Sequence, residues 1–460
     1  MVRGLDNMTD TGSATSLSTL LRHLMLSHAP RMRGLRRLLL ALICVAGLLS
    51  LAFSAQSLVP PYVYMKDFIQ EYLLARAVLS GENPYLPLPV LAAEHLGSLP
   101  TPVFPHPTPH PPPVALLALP LGWLDYELAA RVWFVLELLF LIAVCGLLLR
   151  TVGAPVRLWL AGALLLTLLM WSPVSEELAI GQLMLLLLLC LTLLWRAVRA
   201  GDDLQAGIFL GAMLSLKLMG WPLAVWLALQ RKWRALAATA VTVIVAHIAA
   251  ALLMGWQPVV DYYLRVGGEV APLYQAHAGN FSLWTVGWRL LDGTGSPVLV
   301  GITAPPLIAA PSWAPYLSLA LPVAVTGIGL LAARGRDIEG GFGVLLCLSL
   351  LVNPVAWSHY LTLTLVPLTI AGRRLLRLNF PASLTVHFVL ISLLLWLPRG
   401  TLNALIATLG AAPGSVAPQV PFVVSLLSLL PAVAVLGLAA LLWRLSPAGV
   451  PAPLDTRHPG

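Results

Sequence analysis

Long apolar runs that end in arginines are the feature that most restricts what this chain can fold into. Of its 460 residues, 59% are hydrophobic and only 10% are charged, whereas about a quarter of the residues of an ordinary soluble domain are charged. The runs match the roughly 20 residues that a spanning helix needs, or about half of that length. Strand-type alternation is absent, which argues against a barrel. The sequence therefore predicts an all-α, polytopic transmembrane helical bundle.

Basic residues collect at the ends of these runs. The formal net charge is +8, and basic clusters at run ends are typical of cytoplasmic loops. We therefore expect a lipid bilayer as partner and no nucleic acid. The clusters are Arg31, Arg33, Arg36 and Arg37; Arg196 and Arg199; Arg231, Lys232 and Arg234; Arg334 and Arg336; and Arg373, Arg374 and Arg377.

The charge pattern predicts one membrane domain between two cytoplasmic tails. Residues 38–445 are expected to form about a dozen spans, and residues 446–460 a short tail. Residues 1–37 begin with a stretch rich in Ser and Thr and are predicted to be disordered. Neither disulfides nor a cysteine metal site is expected, because all four cysteines lie inside apolar runs: Cys44, Cys145, Cys190 and Cys347.

The first outer loop carries a carboxylate, Asp67, at the edge of the membrane. From Tyr64 to Leu79 apolar residues recur at helical spacing, which predicts an amphipathic helix lying along the membrane surface. Gly81 and Pro84 end that helix in a sharp turn. A proline-dense run at residues 100–113 follows and should form a stiff extended loop.

The predicted topology brings polar residues from distant parts of the chain to one side of the membrane, the extracytoplasmic side. Ionisable residues at membrane depth are costly and face a cavity or each other. If these residues converge, they form a polar chamber with an acid, a cation and hydrogen-bond donors. They are Asp67, Glu176, Glu177, Lys217, Asn280, His359 and Tyr360.

The residues alone leave several roles open. Asp67 is either a general base or a surface carboxylate paired with Lys66 or Arg76. Lys217 is either a phosphate anchor or a lysine that snorkels to the interface. His359 lies in a helix break and could act as a base, as a hydrogen-bond donor to phosphate, or as a structural histidine.

The remaining polar residues give weaker signals. Glu176 and Glu177 lie in one turn, where either could contact substrate or a cation. His106 and His110 are expected to be structural or to line the substrate site, and they give only a weak metal signal because no third ligand has recognisable spacing. No Walker-type loop and no glycine-rich turn after a strand is present, so the donor is expected to be carried in the membrane.

Seven short motifs, taken in order, resemble glycosyltransferase family 87, a GT-C class of enzymes that use polyprenyl-phosphate sugars and include mannosyltransferases. Each motif is weak alone, and their order and spacing carry the resemblance, which extends from about Leu38 to Trp443. The motifs are KDF at 66–68, GENPY at 81–85, HPPPVALLALPL at 110–121, GQ at 181–182, SLKLMGWPL at 215–223, GNFS at 279–282 and NPVAWSHY at 353–360.

The resemblance implies a GT-C fold and an inverting transfer of a hexose, with mannose expected, to an acceptor hydroxyl on a glycolipid, glycan or protein at the outer face of the cell membrane. Asp67 matches the presumed catalytic base, and neither a cofactor nor a metal is expected. At position 110 the family pattern has an aromatic residue, whereas this chain has His110. The difference bears on the preference for sugar or acceptor and not on the class of reaction. The motifs suggest as substrate-binding residues Lys66, Tyr85, His110, Glu176, Glu177, Gln182, Lys217, Asn280, His359 and Tyr360.

A multi-pass transporter or flippase of a lipid-linked or polar solute is the alternative. Transporters commonly contain internal repeats and paired broken helices. The two halves of this chain do not resemble each other, and its polar residues collect on one side. Both observations favour the enzyme.

Overall fold

Helices make up the regular structure of the chain. The computed structural model describes residues 30–153, 157–299, 301–410 and 419–447. Within these ranges β pairing is limited to two isolated bridges, Thr294 with Ala304 and Thr303 with Gln419. The all-α prediction is confirmed for this part of the chain. The two predicted tails lie mostly outside it, although the first helix already begins at Pro30.

The α-helices, numbered in chain order, are α1 Pro30–Ala55, α2 Ile69–Ser80, α3 Leu88–His95, α4 Val114–Ala118, α5 Tyr126–Thr151, α6 Leu158–Leu169, α7 Ser172–Ile180, α8 Met184–Ala200, α9 Asp203–Leu216, α10 Trp221–Leu229, α11 Trp233–Met254, α12 Trp256–Asp261, α13 Gly267–Val270, α14 Pro272–Gln275, α15 Trp284–Leu291, α16 Ala314–Arg334, α17 Ile338–Leu351, α18 Leu365–Arg377, α19 Ala382–Trp396, α20 Arg399–Gly410, α21 Phe422–Ser425 and α22 Leu430–Leu445.

Five helical stretches of the described residues are long and apolar enough to cross a membrane: Arg37–Leu58, Tyr126–Thr151, Trp233–Met254, Pro311–Arg334 and Phe422–Leu445. Two further pairs are sharply bent, α6 with α7 by 75° and α19 with α20 by 82°. Counting each pair as one span gives up to seven spans. The membrane character of the chain is confirmed, whereas the count of about a dozen spans stays a prediction.

Helix α2 differs from the predicted surface helix. It begins at Ile69 rather than near Tyr64, and both its apolar and its polar side chains are buried, including Gln70 and Glu71. A helix that lies on a membrane surface would leave its polar face in water. The amphipathic surface helix is therefore not confirmed: α2 is packed inside the protein, where its polar residues face other polar groups.

A network of ion pairs closes one end of the bundle. Glu339, at the start of α17, lies 2.5 Å from Arg373, 3.5 Å from Arg199 and 3.7 Å from Arg374. Arg374 also pairs with Asp337 at 2.6 Å. These arginines belong to the basic clusters that the charge pattern assigns to cytoplasmic loops. Helices α8 and α17 run from this network to a polar cavity at their other ends, which for the 17 residues of α8 is roughly 25 Å away.

Candidate active site

A cavity of about 640 Å³ lies at the end of the bundle opposite the ion-pair network. Seven of the eleven residues predicted for the site line it: Asp67, His110, Glu176, Gln182, Lys217, His359 and Tyr360. The other four, Lys66, Tyr85, Glu177 and Asn280, lie behind its wall. The structure thus brings together polar side chains that are far apart in the sequence.

Asp67, Gln182 and Lys217 form a hydrogen-bonded chain along one wall of the cavity. Gln182 Nε2 donates to Asp67 Oδ2 at 2.7 Å, and Lys217 Nζ donates to Gln182 Oε1 at 3.2 Å. Because a glutamine amide both donates and accepts, Gln182 fixes the carboxylate and the ammonium at one spacing. Among the hydrogen bonds of the described residues, none reaches the other carboxylate oxygen of Asp67.

The pKa of the Asp67 carboxyl is raised toward neutral pH. Burial raises its pKa to about 6, while the hydrogen bond from Gln182 opposes that rise. The charge of Glu71 adds to the rise, and the charges of His110 and Lys217 oppose it. A base with a pKa near the working pH combines adequate basicity with a large ionised fraction.

The GQ motif positions Gln182 through a tight turn. Helix α7 ends at Gly181, whose φ of +71° is left-handed and favours glycine. A Cβ at this position would also lie only 3.1 Å from side-chain carbons of Lys66 and of Phe68. The Gly181 carbonyl accepts a hydrogen bond from Trp133 Nε1 at 2.9 Å. The glycine therefore lets the chain turn against the KDF segment, which places Gln182 beside Asp67.

Lys217 reaches the cavity because the helix is broken at its position. Its backbone is extended, with φ −159° and ψ 126°, between α9 and the short 3₁₀ turn Leu218–Gly220. Its ammonium lies 4.2 Å from the centre of the Tyr360 ring, which favours the charged form by a cation–π interaction. The helix break at Lys217 thus turns its side chain into the cavity lining.

A buried pair, Glu71 and His110, lies beside Asp67. His110 Nδ1 is 3.0 Å from Glu71 Oε1, and both side chains are almost fully buried. Glu71 was not among the residues predicted for the site. In the helix predicted from Tyr64 to Leu79, Glu71 would lie four residues after Asp67 on the same face, and this spacing was the available signal.

Lys66 does not line the cavity, and its ammonium forms hydrogen bonds within the protein instead. Its ammonium donates to Ser57 Oγ and to the Leu178 carbonyl, both at 2.9 Å, and to the Ala179 carbonyl at 2.6 Å. Carbonyls in the last turn of a helix lack intrahelical partners, so Lys66 satisfies the end of α7. Burial lowers the pKa of this lysine to about 8.

The adjacent acids Glu176 and Glu177 point in different directions. Glu176 lines the cavity and accepts a short hydrogen bond from Ser358 Oγ. Glu177 is fully buried and accepts from the backbone N–H of Met184 at 2.5 Å, at the N-terminus of α8. Glu177 therefore caps a helix.

Asn280 and Tyr85 support the cavity wall from behind. Asn280 Nδ2 donates to the Pro354 carbonyl at 3.2 Å, and its Oδ1 accepts from the backbone N–H of Ala356 at 2.9 Å. Tyr85 donates its hydroxyl to the His110 carbonyl at 3.0 Å. The GNFS motif thus holds the break before His359, and GENPY holds the proline loop.

Arg399, Trp357, Tyr274 and Gln70 also line the cavity, and the sequence analysis missed them. Arg399 offered a signal. It follows the apolar run that ends near Leu397, which is one run beyond the basic cluster of Arg373, Arg374 and Arg377. Since that cluster is expected in the cytoplasm, the run should end on the other side, where the positive-inside pattern disfavours arginine. An isolated arginine there was therefore a candidate residue for the site.

One group of described residues has metal-ligand geometry, but it lies away from the cavity lining. Potential ligand atoms of Glu82, Glu94 and His95 are within 4.8 Å of one another. His95 Nε2 is 3.2 Å from Glu82, which already satisfies that imidazole nitrogen. Neither His106 nor His110 belongs to such a group among the described residues.

Two mannosyltransferases of Mycobacterium tuberculosis are similar to the chain. A polyprenol-phosphate-mannose-dependent α-(1-2)-phosphatidylinositol mannoside mannosyltransferase is 28% identical over 277 residues, covering 50% of this chain and 63% of that protein. The corresponding phosphatidylinositol pentamannoside mannosyltransferase is 28% identical over 281 residues, covering 59% of each. The chain thus spans less than two thirds of these relatives. No solved structure matches it significantly.

The sequence pattern of glycosyltransferase family 87 matches residues 109–354. This segment is more than half of the chain and contains His110, Glu176, Gln182 and Lys217 of the cavity wall. Asp67, His359, Tyr360 and Arg399 of the same wall lie outside the matching segment. The chain belongs to glycosyltransferase family 87.

Proposed function

We propose that this protein transfers mannose from a polyprenyl-phosphate donor to an acceptor hydroxyl, with inversion at the anomeric carbon. The observation that carries the proposal is the chain from Asp67 through Gln182 to Lys217 in the wall of the cavity. It places a candidate base and a cation side by side. The family and the donor named for both mycobacterial relatives support the same chemistry.

Asp67 accepts the proton of the acceptor hydroxyl in this mechanism. The hydroxyl oxygen forms a bond to the anomeric carbon, and the bond from that carbon to the phosphate oxygen breaks. The electron pair leaves with the polyprenyl phosphate. A single displacement of this kind inverts the anomeric configuration, because the hydroxyl attacks the face opposite the departing phosphate.

The developing charge on the phosphate needs fixed donors, because preorganised electrostatic stabilisation is a large part of catalysis. Lys217 and His359 are the candidates from the predicted site. His110, Glu176 and Tyr360 are proposed to contact the sugar or the acceptor. Lys66, Tyr85, Glu177 and Asn280 are proposed to hold the wall that the substrates contact.

The reaction is proposed to take place on the extracytoplasmic face of the cell membrane. The ion-pair network contains three arginines of predicted cytoplasmic loops and lies at the opposite end of α8 and α17 from the cavity. The glycosyltransferase unit would then be residues 38–445, with about a dozen membrane segments. Up to seven spans and three shorter apolar helices of the described residues support this number: Asp203–Leu216, Leu218–Leu229 and Ile338–Leu351. A glycolipid, a glycan or a protein carries the acceptor hydroxyl.

Transfer of labelled mannose from synthetic polyprenyl-phosphate mannose tests the proposal. Wild type, Asp67→Asn and the exposed control Asp292→Asn are compared at equal expression, and label is followed in lipid, glycan and protein fractions. We expect transfer by wild type and the control, and a loss of about 100-fold or more in Asp67→Asn. Wild-type rates in Asp67→Asn would exclude Asp67 as the base, and the labelled fraction identifies the acceptor class.

A further inference from the structure

Arg399 is a second cation in the cavity lining. It lies at the first turn of α20, just after the 82° bend from α19. No carboxylate lies within 4.0 Å of its guanidinium among the described residues, and none of the hydrogen bonds found there involves that group. The guanidinium packs 5.3 Å from the Trp357 ring centre. Because Arg399 lines the cavity, its guanidinium can reach a ligand bound there.

Lys217, the other cation of the cavity, is already engaged. Its ammonium donates to Gln182, lies over the Tyr360 ring and attracts the charge of Asp67. Moving it toward a phosphate would remove a counter-charge from the base. The two cations thus have different surroundings on the same cavity.

His359 lies near enough to both cations to be affected by their charges. Its ring is almost fully buried, lines the cavity and has an Nε2 atom with no hydrogen-bond partner among the described residues. Burial, followed by the charges of Lys217 and Arg399, lowers the pKa of this histidine. The ring is therefore neutral and can offer one N–H to an anion without adding a further charge.

We propose that Arg399, rather than Lys217, is the principal binding residue for the phosphate of the leaving lipid, with His359 as the second donor. The proposal rests on the proposed function, because it assigns the leaving group of that reaction to one end of the cavity. The planar guanidinium presents paired N–H groups that match two phosphate oxygens, and such bidentate contacts are stronger than those of an ammonium. Lys217 then remains with Asp67 on the acceptor side.

Two neighbours hold Arg399 in position. A Cβ on Gly279 would overlap the Arg399 guanidinium, so the glycine of GNFS leaves the space that this side chain occupies. Glu176 faces Arg399 from α7 and attracts its charge, while its carboxylate accepts a hydrogen bond from Ser358. We infer that Gly279 and Glu176 are positioning residues for the arginine.

Binding of a short polyprenyl phosphate to the full-length protein in nanodiscs tests this assignment, with the matching polyprenol and inorganic phosphate as comparison ligands. Wild type should bind the lipid phosphate at least tenfold more tightly than the alcohol. Arg399→Gln should lose most of this preference, and Arg399→Lys should recover part of it. Arg265→Gln, an exposed arginine paired with Glu269, should keep it.

Gly279→Ala provides a second variant that keeps the charge and displaces the guanidinium. It should lose the phosphate preference at least partly and raise the donor KM, while the pH midpoint of transfer set by Asp67 stays unchanged. Tight binding of inorganic phosphate alone would indicate a free-phosphate site and contradict the lipid assignment.

A wild-type phosphate preference in folded Arg399→Gln would overturn the proposal, as would equal binding of lipid phosphate and alcohol by wild type. Failure of the proposed function gives a different result. In that case wild type retains the phosphate preference that depends on Arg399 but transfers no mannose.

Discussion

At the scale of single residues, Asp67 sets the expected pH dependence. Only its ionised form can accept the acceptor proton, and burial raises its pKa to about 6. Transfer should therefore be highest above pH 6 and should fall about tenfold for each pH unit below that value. The measurement is kcat/KM for the donor between pH 5 and pH 8.

Replacing Gln182 sharpens this prediction. The hydrogen bond from Gln182 lowers the pKa of Asp67, so Gln182→Leu should move the midpoint of the acid limb upward. Phosphate contacts made by Arg399 should not move it. An acid limb that stays in place in Gln182→Leu, or one that persists in Asp67→Asn, would mean that another group titrates.

At the scale of helices, Lys66 has the role of a helix C-cap. Removing its ammonium leaves three buried or half-buried acceptors without their donor: Ser57 Oγ and the carbonyls of Leu178 and Ala179. An unsatisfied buried polar group costs about 1–3 kcal/mol. Lys66→Met should therefore lower the free energy of unfolding by about 3 kcal/mol, measured by thermal unfolding in detergent.

Lys232 supplies a matched control for that measurement. It pairs with Asp203 at 3.1 Å, and both side chains are about a third exposed. Exposed pairs contribute roughly 0–1 kcal/mol, so Lys232→Met should change stability little. Equal stability of Lys66→Met and wild type, with a raised donor KM, would instead favour the substrate contact suggested by the KDF motif.

Asn280 joins two elements that the sequence shows only as separate motifs. The side-chain amide of Asn280 forms hydrogen bonds with the backbone of Pro354 and of Ala356, which hold the break before His359. Its Oδ1 also accepts a hydrogen bond from the Ser282 N–H at 3.0 Å. Asn280→Ala should lower stability by roughly 3 kcal/mol and reduce transfer. Limited proteolysis near residue 355 and thermal unfolding measure the effect.

Asn83 gives a comparison with a single hydrogen bond, from the Tyr85 N–H to its side chain at 3.0 Å. Asn83→Ala should therefore cost less than Asn280→Ala, about 1 kcal/mol. If the two variants lose the same stability, Asn280 does not join the two segments as proposed.

At the scale of the whole molecule, apolar runs and arginine clusters were enough to predict an all-helical membrane bundle with its polar residues on one side. They were not enough to predict α2, because periodicity reports an apolar face but not what packs on the polar one. Gln70 and Glu71 are polar in the sequence and buried in the fold. Only the long-range approach of His110 and the cavity explains their burial.

The predicted site shows the same division. Asp67, Gln182 and Lys217 lie in separate motifs, and the sequence could suggest that they converge but not that one glutamine joins them. Lys66 and Asn280 share the motif character of the cavity residues, yet they bond to backbone atoms. The motifs thus identify residues at or near the site. Whether a side chain lines the cavity or bonds to the backbone behind it depends on its direction, which the turn at Gly181 and the helix breaks determine.

The two ends of the bundle provide the last prediction, which concerns orientation. The ion-pair network includes Arg199, Arg373 and Arg374, and loops rich in basic residues stay in the cytoplasm. Single cysteines on a background without the four native cysteines should therefore label by side. Glu94→Cys, at an exposed position near the cavity end, should react with a membrane-impermeant maleimide in intact cells. Arg377→Cys, exposed beyond the network, should react only after permeabilisation. The reverse pattern would place the cavity in the cytoplasm, where soluble nucleotide-activated sugars are available, and would remove the reason for a membrane-borne donor.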